Sequence, residues 1–156
     1  MTFTAREGTH AFLCGINVED CVELSRRMKR MAREFARPVK TYTVFTVILG
    51  ETDEQARELV DHYTRGADQA ALENILSGIR GFARASGRLF EELRRHVFYG
   101  HPPLPGGPHT IASTLAALAH DGELDGVMFC FPDYIEGLHA FHRAVTPLLE
   151  DEYKLR

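Results

Sequence analysis

Three stretches of the chain are almost continuously apolar and rich in β-branched or aromatic residues, the pattern of strands buried on both faces of a parallel sheet. The longest stretch is KTYTVFTVILG, at Lys40–Gly50. Shorter stretches of the same kind are HAFLCG, at His10–Gly15, and GVMFCF, at Gly126–Phe131. The pattern therefore predicts three strands.

The segments around these strands carry apolar residues at spacings of three and four, which is the period of an amphipathic helix. Start signals precede them: Asn17 before the first helix, the capping pair Thr52 and Gln55 before the second, and Pro108 at the first position of a later one. The predicted apolar stripes are Cys21, Leu24, Met28, Met31 and Phe35; Ala56, Leu59, Val60 and Tyr63; Ile111, Leu115 and Leu118; and Tyr134, Leu138, Phe141, Val145 and Leu148.

Between the second and the later helices, the pattern is mixed. Asp68 is placed to cap a helix whose apolar side is Leu72, Ile75, Leu76, Ile79 and Phe82, and a shorter helix follows with Leu89, Phe90 and Leu93. The stretch FYGHPPLPGGP, residues Phe98–Pro108, is rich in proline and glycine and predicts a loop.

Strands that alternate with helices indicate an α/β protein with parallel pairing and right-handed crossovers. A sheet of only three such strands would have two long hydrophobic edges, which proteins normally pair or cover. We therefore expect further strands to continue the sheet or another surface to cover its edges.

The composition is that of an ordinary globular domain: 156 residues, 44% hydrophobic and 26% charged, with a net charge of −4. This charge gives no attraction to nucleic acid or to acidic membranes. No apolar run is long enough to span a bilayer, and the N-terminus has no secretory pattern. Cys14, Cys21 and Cys130 lack metal-like spacing, so we expect reduced thiols, with Cys14 and Cys130 buried, in a cytoplasmic protein.

Two turns are candidates for binding. Phe131, Asp133 and Tyr134 follow the last strand and could contact a substrate, although Asp133 could equally serve only to cap the last helix. Gly106 and Gly107 precede a helix, where free N–H groups attract anions such as phosphate. The alternative is a tight helix entry without a ligand.

Other polar clusters favour ordinary explanations. Glu136, His139 and His142 recur every three residues, but one such motif without partners is a weak indication of a metal site, and a solvated helix face is expected instead. The basic residues of SRRMKRMAR, at Ser25–Arg33, are expected to form an exposed helix face.

Three longer stretches, AFLCG, VKTYTVFTVILGETDEQARELVDHYTRGAD and GGPHTIASTLAALAHDGELDGVMFCFPDYIEGLHAFHRAVTPLL, together resemble the C-terminal part of the bacterial luciferase-like, flavin-dependent monooxygenases. The resemblance is strongest to the pyrimidine and dimethylsulfone monooxygenase branch, and it covers nearly the whole chain. It implies a partial (β/α)8 TIM barrel made of the last three βα units, with His10–Gly15, Lys40–Gly50 and Gly126–Phe131 as strands six, seven and eight. The first five units would be absent from the chain.

The resemblance also implies a role for the middle of the chain. Residues 52–107 would be a helical insertion after strand seven that forms a lid over the site, within a single domain of residues 1–156. The family uses reduced FMN, supplied by a separate flavin reductase, to transfer one oxygen of O2 to a small organic substrate. Because the flavin carries the chemistry, no residue of this chain is singled out as catalytic.

Two interpretations follow. In the first, the chain is the C-terminal segment of such a monooxygenase, completed by the missing N-terminal barrel half or by self-association. In the second, it is a non-catalytic truncated or companion α/β module that has lost flavin binding, since most of the family's FMN contacts fall in the absent units.

Overall fold

The computed structural model describes residues 1–72, 74, 98 and 101–155. Its strands are β1 (His10–Phe12), β2 (Lys40–Leu49), β3 (Pro103–Gly106) and β4 (Gly126–Cys130). Its helices are α1 (Thr2–Glu7), α2 (Val18–Glu34), α3 (Asp53–Gly66), α4 (Pro108–His120), α5 (Tyr134–Ala144) and α6 (Thr146–Asp151). The predicted α/β order is confirmed. The predicted helical residues Ile75–Phe82 and Leu89–Leu93 lie outside the described residues.

Strand β2 is the centre of the sheet and pairs in parallel with β1, β3 and β4. The N–H of Lys40 bonds toward β1, and the N–H groups of Thr46 and Gly50 bond toward β3, whereas the carbonyl of Thr41 accepts the N–H of Asp125 at the start of β4. Successive residues of a strand direct their backbone groups to opposite edges, so β1 and β3 share one edge of β2 and β4 takes the other. The three long βα units therefore lie in their chain order, β1–β2–β4.

Strand β3 corrects a prediction. Phe98–Pro108 was expected to be a loop, but Pro103–Gly106 pairs with Thr46–Leu49 of β2. Proline lacks an N–H, yet the carbonyls on this strand still accept: Pro102 and Gly106 each receive a backbone bond from β2 at 3.1 Å. A short edge position is where a sheet tolerates proline.

The outer face of the sheet holds the main core. Phe45 and Val47 of β2 are 0% and 1% exposed and pack against α4 and α5. The predicted stripe of α4 is fully confirmed, because Ile111, Leu115 and Leu118 are all buried in this cluster.

Three predicted helix stripes are only partly right. In α3, Ala56 is buried, whereas Leu59, Val60 and Tyr63 are half-buried. In α2 the buried residues are Cys21, Ser25, Met28 and Ala32, while Phe35 lies just after the helix and is 40% exposed. In α5, Tyr134 and Leu138 are 60% and 57% exposed, and the first buried residue is Phe141. In α2 and α5 the apolar period is correct, but burial requires a neighbouring surface, and the core cluster does not extend to these helix ends.

A polar seam lies between α2 and β2. The hydroxyls of Ser25 and Thr41 are 2.8 Å apart, and the Cys21 thiol lies 3.3 Å from the Thr43 hydroxyl, all within a buried layer. Each buried polar group thus has a partner, which avoids the cost of an unpaired one. Burial raises the pKa of the Cys21 thiol, so this cysteine stays protonated.

The opposite face, which we call the inner face, is apolar without being fully covered. Phe12, Tyr42, Val44 and Met128 share this face by their pairing register. Val44 on the central strand is buried, but Phe12 and Met128 on the flanking strands are 54% and 50% exposed. Parallel sheets are normally buried on both faces, so this face is suited to further packing. None of the described helices is long and apolar enough to cross a bilayer.

Candidate functional site

A groove of about 230 Å³ lies at the carboxyl ends of β2 and β4. Its floor is the end of β2, one wall is α3, and the other wall is the β4–α5 turn with the start of α5. The lining residues are Val47, Ile48, Leu49, Leu59, Tyr63, Phe131, Pro132, Asp133, Glu136, Gly137 and Ala140. We call it the carboxyl-edge groove. Its lining is mostly apolar, with two carboxylates, Asp133 and Glu136, which are exposed side chains.

A larger cavity of about 430 Å³ lies between α4, α5 and α6, and it reaches Asp125 and Gly126 at the amino end of β4. In parallel α/β folds, ligands bind at the carboxyl ends of the strands, where the βα loops converge. Position in the fold therefore favours the smaller groove as the functional site.

The β4–α5 turn brings two of its three candidate residues to the groove. Phe131 is 6% exposed and lines it. Asp133 lies at its rim, where one carboxylate oxygen accepts the N–H groups of Ile135 and Glu136 at 3.0 Å each. Asp133 is thus the N-cap of α5, as the alternative interpretation held. Substrate contact by Asp133 remains a prediction.

Tyr134 is not among the residues that line the groove. Its ring meets that of Phe131 edge-on, with centroids 6.1 Å apart, but the side chain itself is largely exposed. A hydrogen bond with Cys130 raises the pKa of the Tyr134 hydroxyl, which therefore remains protonated at neutral pH. Substrate contact by Tyr134 would have to occur at the mouth of the groove.

Gly106 and Gly107 lie at the entry of α4, as predicted, but an acidic side chain occupies the entry. The N–H of Gly107 donates to one oxygen of Asp53 at 2.7 Å, and the Thr110 hydroxyl donates to the other at 3.0 Å. These two bonds, the Gly107 bond foremost, lower the pKa of Asp53, so its carboxylate stays charged. The helix entry does bind an anion, and that anion belongs to the chain itself.

Two groups of residues at the candidate site were missed from the sequence. Leu59 and Tyr63 were predicted to be buried, but not to face the site, and only the packing of α3 beside β3 reveals this. Asp53 was not singled out, because nothing local links it to Gly107, 54 residues away.

The cysteines also differ from expectation. All three are free, but Cys14 is exposed and Cys130 is half-buried. Leu13 is buried in a cluster with Met28 and Ala32 of α2, whereas Cys14, just past the end of β1, is exposed. Apolar neighbours in sequence therefore did not imply burial.

Comparison with known proteins finds monooxygenases that are similar to this chain. No family model matches it. It is 31% identical to the pyrimidine monooxygenase RutA of Cronobacter sakazakii over 163 residues, covering 100% of this chain and 48% of that protein. RutA of Klebsiella pneumoniae is also 31% identical, over 96% of this chain and 43% of the relative. The chain thus spans about half the length of the curated relatives it matches.

Solved structures show the same fold at lower identity. DmoA from Hyphomicrobium sulfonivorans has a TM-score of 0.77 at 19% identity, covering 99% of this chain and 40% of that one. The long-chain alkane monooxygenase LadA has a TM-score of 0.72 at 16% identity, covering 99% and 39%. The chain is homologous to the luciferase-like, flavin-dependent monooxygenases, which confirms the resemblance predicted from sequence. Within that class its curated relatives are pyrimidine monooxygenases.

Proposed function

We propose that the chain forms strands six to eight of a luciferase-like (β/α)8 barrel, in an enzyme that uses reduced FMN and O2 to oxygenate a small organic molecule. The observation that most strongly supports this is the inner face. Three parallel strands in the order β1–β2–β4 carry helices on one side and apolar side chains on the other. In a complete barrel such a face is the packed interior.

The carboxyl-edge groove is the proposed substrate site, with Phe131 and Asp133 in its wall and Tyr134 at its mouth. Apolar residues on three sides exclude water, and the Asp133 and Glu136 carboxylates can accept N–H groups at the rim. This combination suits a flat ring that carries N–H donors at its edge. A pyrimidine-type ring, as the names of the curated relatives indicate, has this form.

FMN fits the groove only in part. When bound, FMN would supply the oxidative chemistry, and the chain's residues would position its flat ring and keep it dry. The apolar lining suits the flat ring, with Ile48 in the floor and Phe131 in one wall. The groove does not fit the phosphate, because its charged rim is acidic and the N–H of Gly107 is held by Asp53. Phosphate binding at Gly106 and Gly107 therefore requires Asp53 to leave.

Asp53→Ala tests this competition. Removing the carboxylate frees the N–H of Gly107 and takes one negative charge from the helix entry, so FMN is expected to bind more tightly to the variant than to the wild type. Isothermal titration with FMN and with inorganic phosphate measures the change. Thr110→Val is the control, since it removes the other bond to Asp53 and leaves the carboxylate in place. Equal FMN affinity in all three proteins would show that the phosphate does not use this helix entry.

The remaining assignments are further proposals about the same enzyme. Residues 52–107 act as the helical insertion and lid, within one domain of residues 1–156. The first barrel units, or self-association, cover the inner face, and a separate reductase supplies the reduced FMN. A cytoplasmic location is supported by three free cysteines, which are typical of reducing compartments.

A second candidate is a non-catalytic α/β module of the same fold. The contact of Asp53 with Gly107 favours it, because an internal carboxylate occupies the place that the cofactor phosphate would take at this helix entry.

A flavin titration of the full chain decides between the two. We expect saturable binding of FMN, with oxidised flavin and after anaerobic reduction, followed by flavin fluorescence and absorbance. Lumiflavin, which has the ring but no phosphate, is expected to bind as tightly as FMN, because the groove contacts only the ring. If neither FMN nor lumiflavin binds, whether oxidised or reduced, the result would favour the non-catalytic module.

A further inference from the structure

Gly137 occupies the interior of α5, where glycine is among the least favourable residues for a helix. A Cβ atom at this position would lie 2.6 Å from Cβ of Phe131 and 2.7 Å from its Cδ1 and Cγ. These atoms are at the base of the Phe131 side chain, so they cannot swing aside as the tip of a flexible chain does. The absence of a side chain at Gly137 is what allows α5 to lie directly against Phe131.

The ring of Phe131 is bordered by three aromatic rings and by the carboxyl-edge groove. Its centroid lies 6.0 Å from that of Phe141, 6.1 Å from Tyr134 and 6.5 Å from Phe129, so aromatic rings enclose it on several sides. The carboxyl-edge groove lies on a remaining side, since Phe131 lines it. A ring displaced from its place would enter the groove.

Helix α5 cannot easily move away instead. The N–H groups of Ile135 and Glu136 donate to Asp133, which holds the first turn in helical form. Farther along, Phe141 is 6% exposed and Val145 is 0% exposed, both within the main core. Close-packed interiors resist such a shift of a whole element, so the side chain must yield first.

We propose that Gly137 is a positioning residue that sets the depth of the carboxyl-edge groove by holding the Phe131 ring back from it. It thereby limits the size of the flat ring that the site accepts. This inference rests on the proposed function only for the identity of the ligand. The proposed effect of Gly137 on the groove depth depends only on the contact between Gly137 and Phe131.

The chain contains no tryptophan, so Tyr63→Trp places a single indole on the opposite wall of the groove. We compare acrylamide quenching of Trp fluorescence in Y63W and in Y63W/G137A. The quenching constant is expected to fall by about half in the double variant, because the displaced Phe131 ring fills the groove and excludes the quencher. Uracil, as a flat-ring probe, is expected to bind about tenfold more weakly, the scale of one methylene too many in an apolar pocket.

The control is Y63W/G66A, since a Cβ at Gly66 has no heavy atom within 4 Å. Its quenching is expected to match that of Y63W. A third variant, Y63W/G137A/F131A, tests the mechanism: without a ring to displace into the groove, its quenching is expected to be at least that of Y63W. Circular dichroism must show that this variant is folded, because unfolding would also raise the quenching.

Unchanged or increased quenching in a folded Y63W/G137A chain would overturn the inference. If that variant does not fold, Y63W/F131L carries the test: quenching must rise as the groove deepens, and equal quenching overturns the inference. If uracil does not bind Y63W while the quenching changes as expected, the proposed substrate is wrong and the role of Gly137 stands.

Discussion

Replacing Phe45 with alanine is expected to lower the free energy of unfolding by about 3–5 kcal/mol, the usual cost of deleting a buried aromatic ring. Phe45 is 0% exposed and lies in the middle of the central strand, against α4 and α5. The loss combines the apolar surface that is no longer buried with the cavity that remains. Because a domain is stable by only about 5–15 kcal/mol, this one change removes much of its stability. Urea unfolding followed by circular dichroism measures it.

Phe12→Ala is the matched control, with the same side chain deleted from the same sheet. Phe12 lies on the inner face and is 54% exposed, so the loss in the chain alone is expected to be below about 1 kcal/mol. Equal losses in the two variants would mean that the inner face is packed as tightly as the outer one, and the partial-barrel proposal would lose its main support. If a complementary barrel half is added and Phe12→Ala then causes a large loss of stability, that result would support the proposal.

Asp125→Asn is expected to lower the free energy of unfolding by about 1–2 kcal/mol, in the lower part of the range for hydrogen bonds to charged groups because Asp125 is partly exposed. The Asp125 carboxylate accepts the N–H of Thr41 at 2.8 Å and pairs with the ammonium group of Lys29 at 2.9 Å. It thus joins the start of β4 to β2 and to α2. Asparagine can still accept a hydrogen bond, but it cannot attract the ammonium group.

The pKa of Asp125 determines how the stability difference between the wild type and Asp125→Asn changes with pH. Burial alone would raise the pKa of Asp125, but the bonds from Lys29 and Thr41 outweigh it and hold the pKa below the ordinary value. Stability from a lowered carboxyl pKa is complete above the unfolded pKa, about 3.9, and disappears as the pH falls through the folded pKa. The difference between wild type and Asp125→Asn is therefore expected to be constant near neutral pH and to shrink in acid.

Asp121→Asn is the control for that experiment. Asp121 lies in the same turn, but it is the backbone carbonyl of Asp121 that accepts a bond from Arg26, and asparagine keeps this carbonyl. Its stability is expected to match that of the wild type at every pH. A difference for Asp125→Asn that persists unchanged in acid would mean that the carboxylate charge plays no part.

Local patterns predicted those features that depend on neighbouring residues in the chain. The three predicted strand regions each contain a strand, and the caps at Asn17 and Thr52 form the expected bonds to Asp20 and Gln55. Strand and cap signals are short-range, because alternation, β-branching and a side chain reaching three residues ahead all act within a few positions. The α4 stripe was right for the same reason.

Features that depend on distant partners could not be read from the sequence. Strand β3 forms because β2 offers free N–H groups at its carboxyl half, which overrides the loop tendency of Pro103–Gly106. Tyr134 was predicted to be buried because its period is helical, although the core cluster does not extend that far. In the groove, Phe131 and Asp133 were found from their place after a strand, whereas the contribution of α3 depended on tertiary packing.

The contact between Asp53 and Gly107 has a consequence for how such a chain can change over time. The two residues are 54 positions apart, yet their bonded atoms lie 2.7 Å from each other, Asp53 at the start of α3 and Gly107 directly before α4. Closing a loop becomes only slightly more costly as the loop lengthens, so sequence inserted or deleted between these anchors should leave the frame of the sheet nearly unaffected. The fold thus keeps a junction at which one segment can be exchanged for another, and enzymes built on it can acquire new specificities there without rebuilding their core.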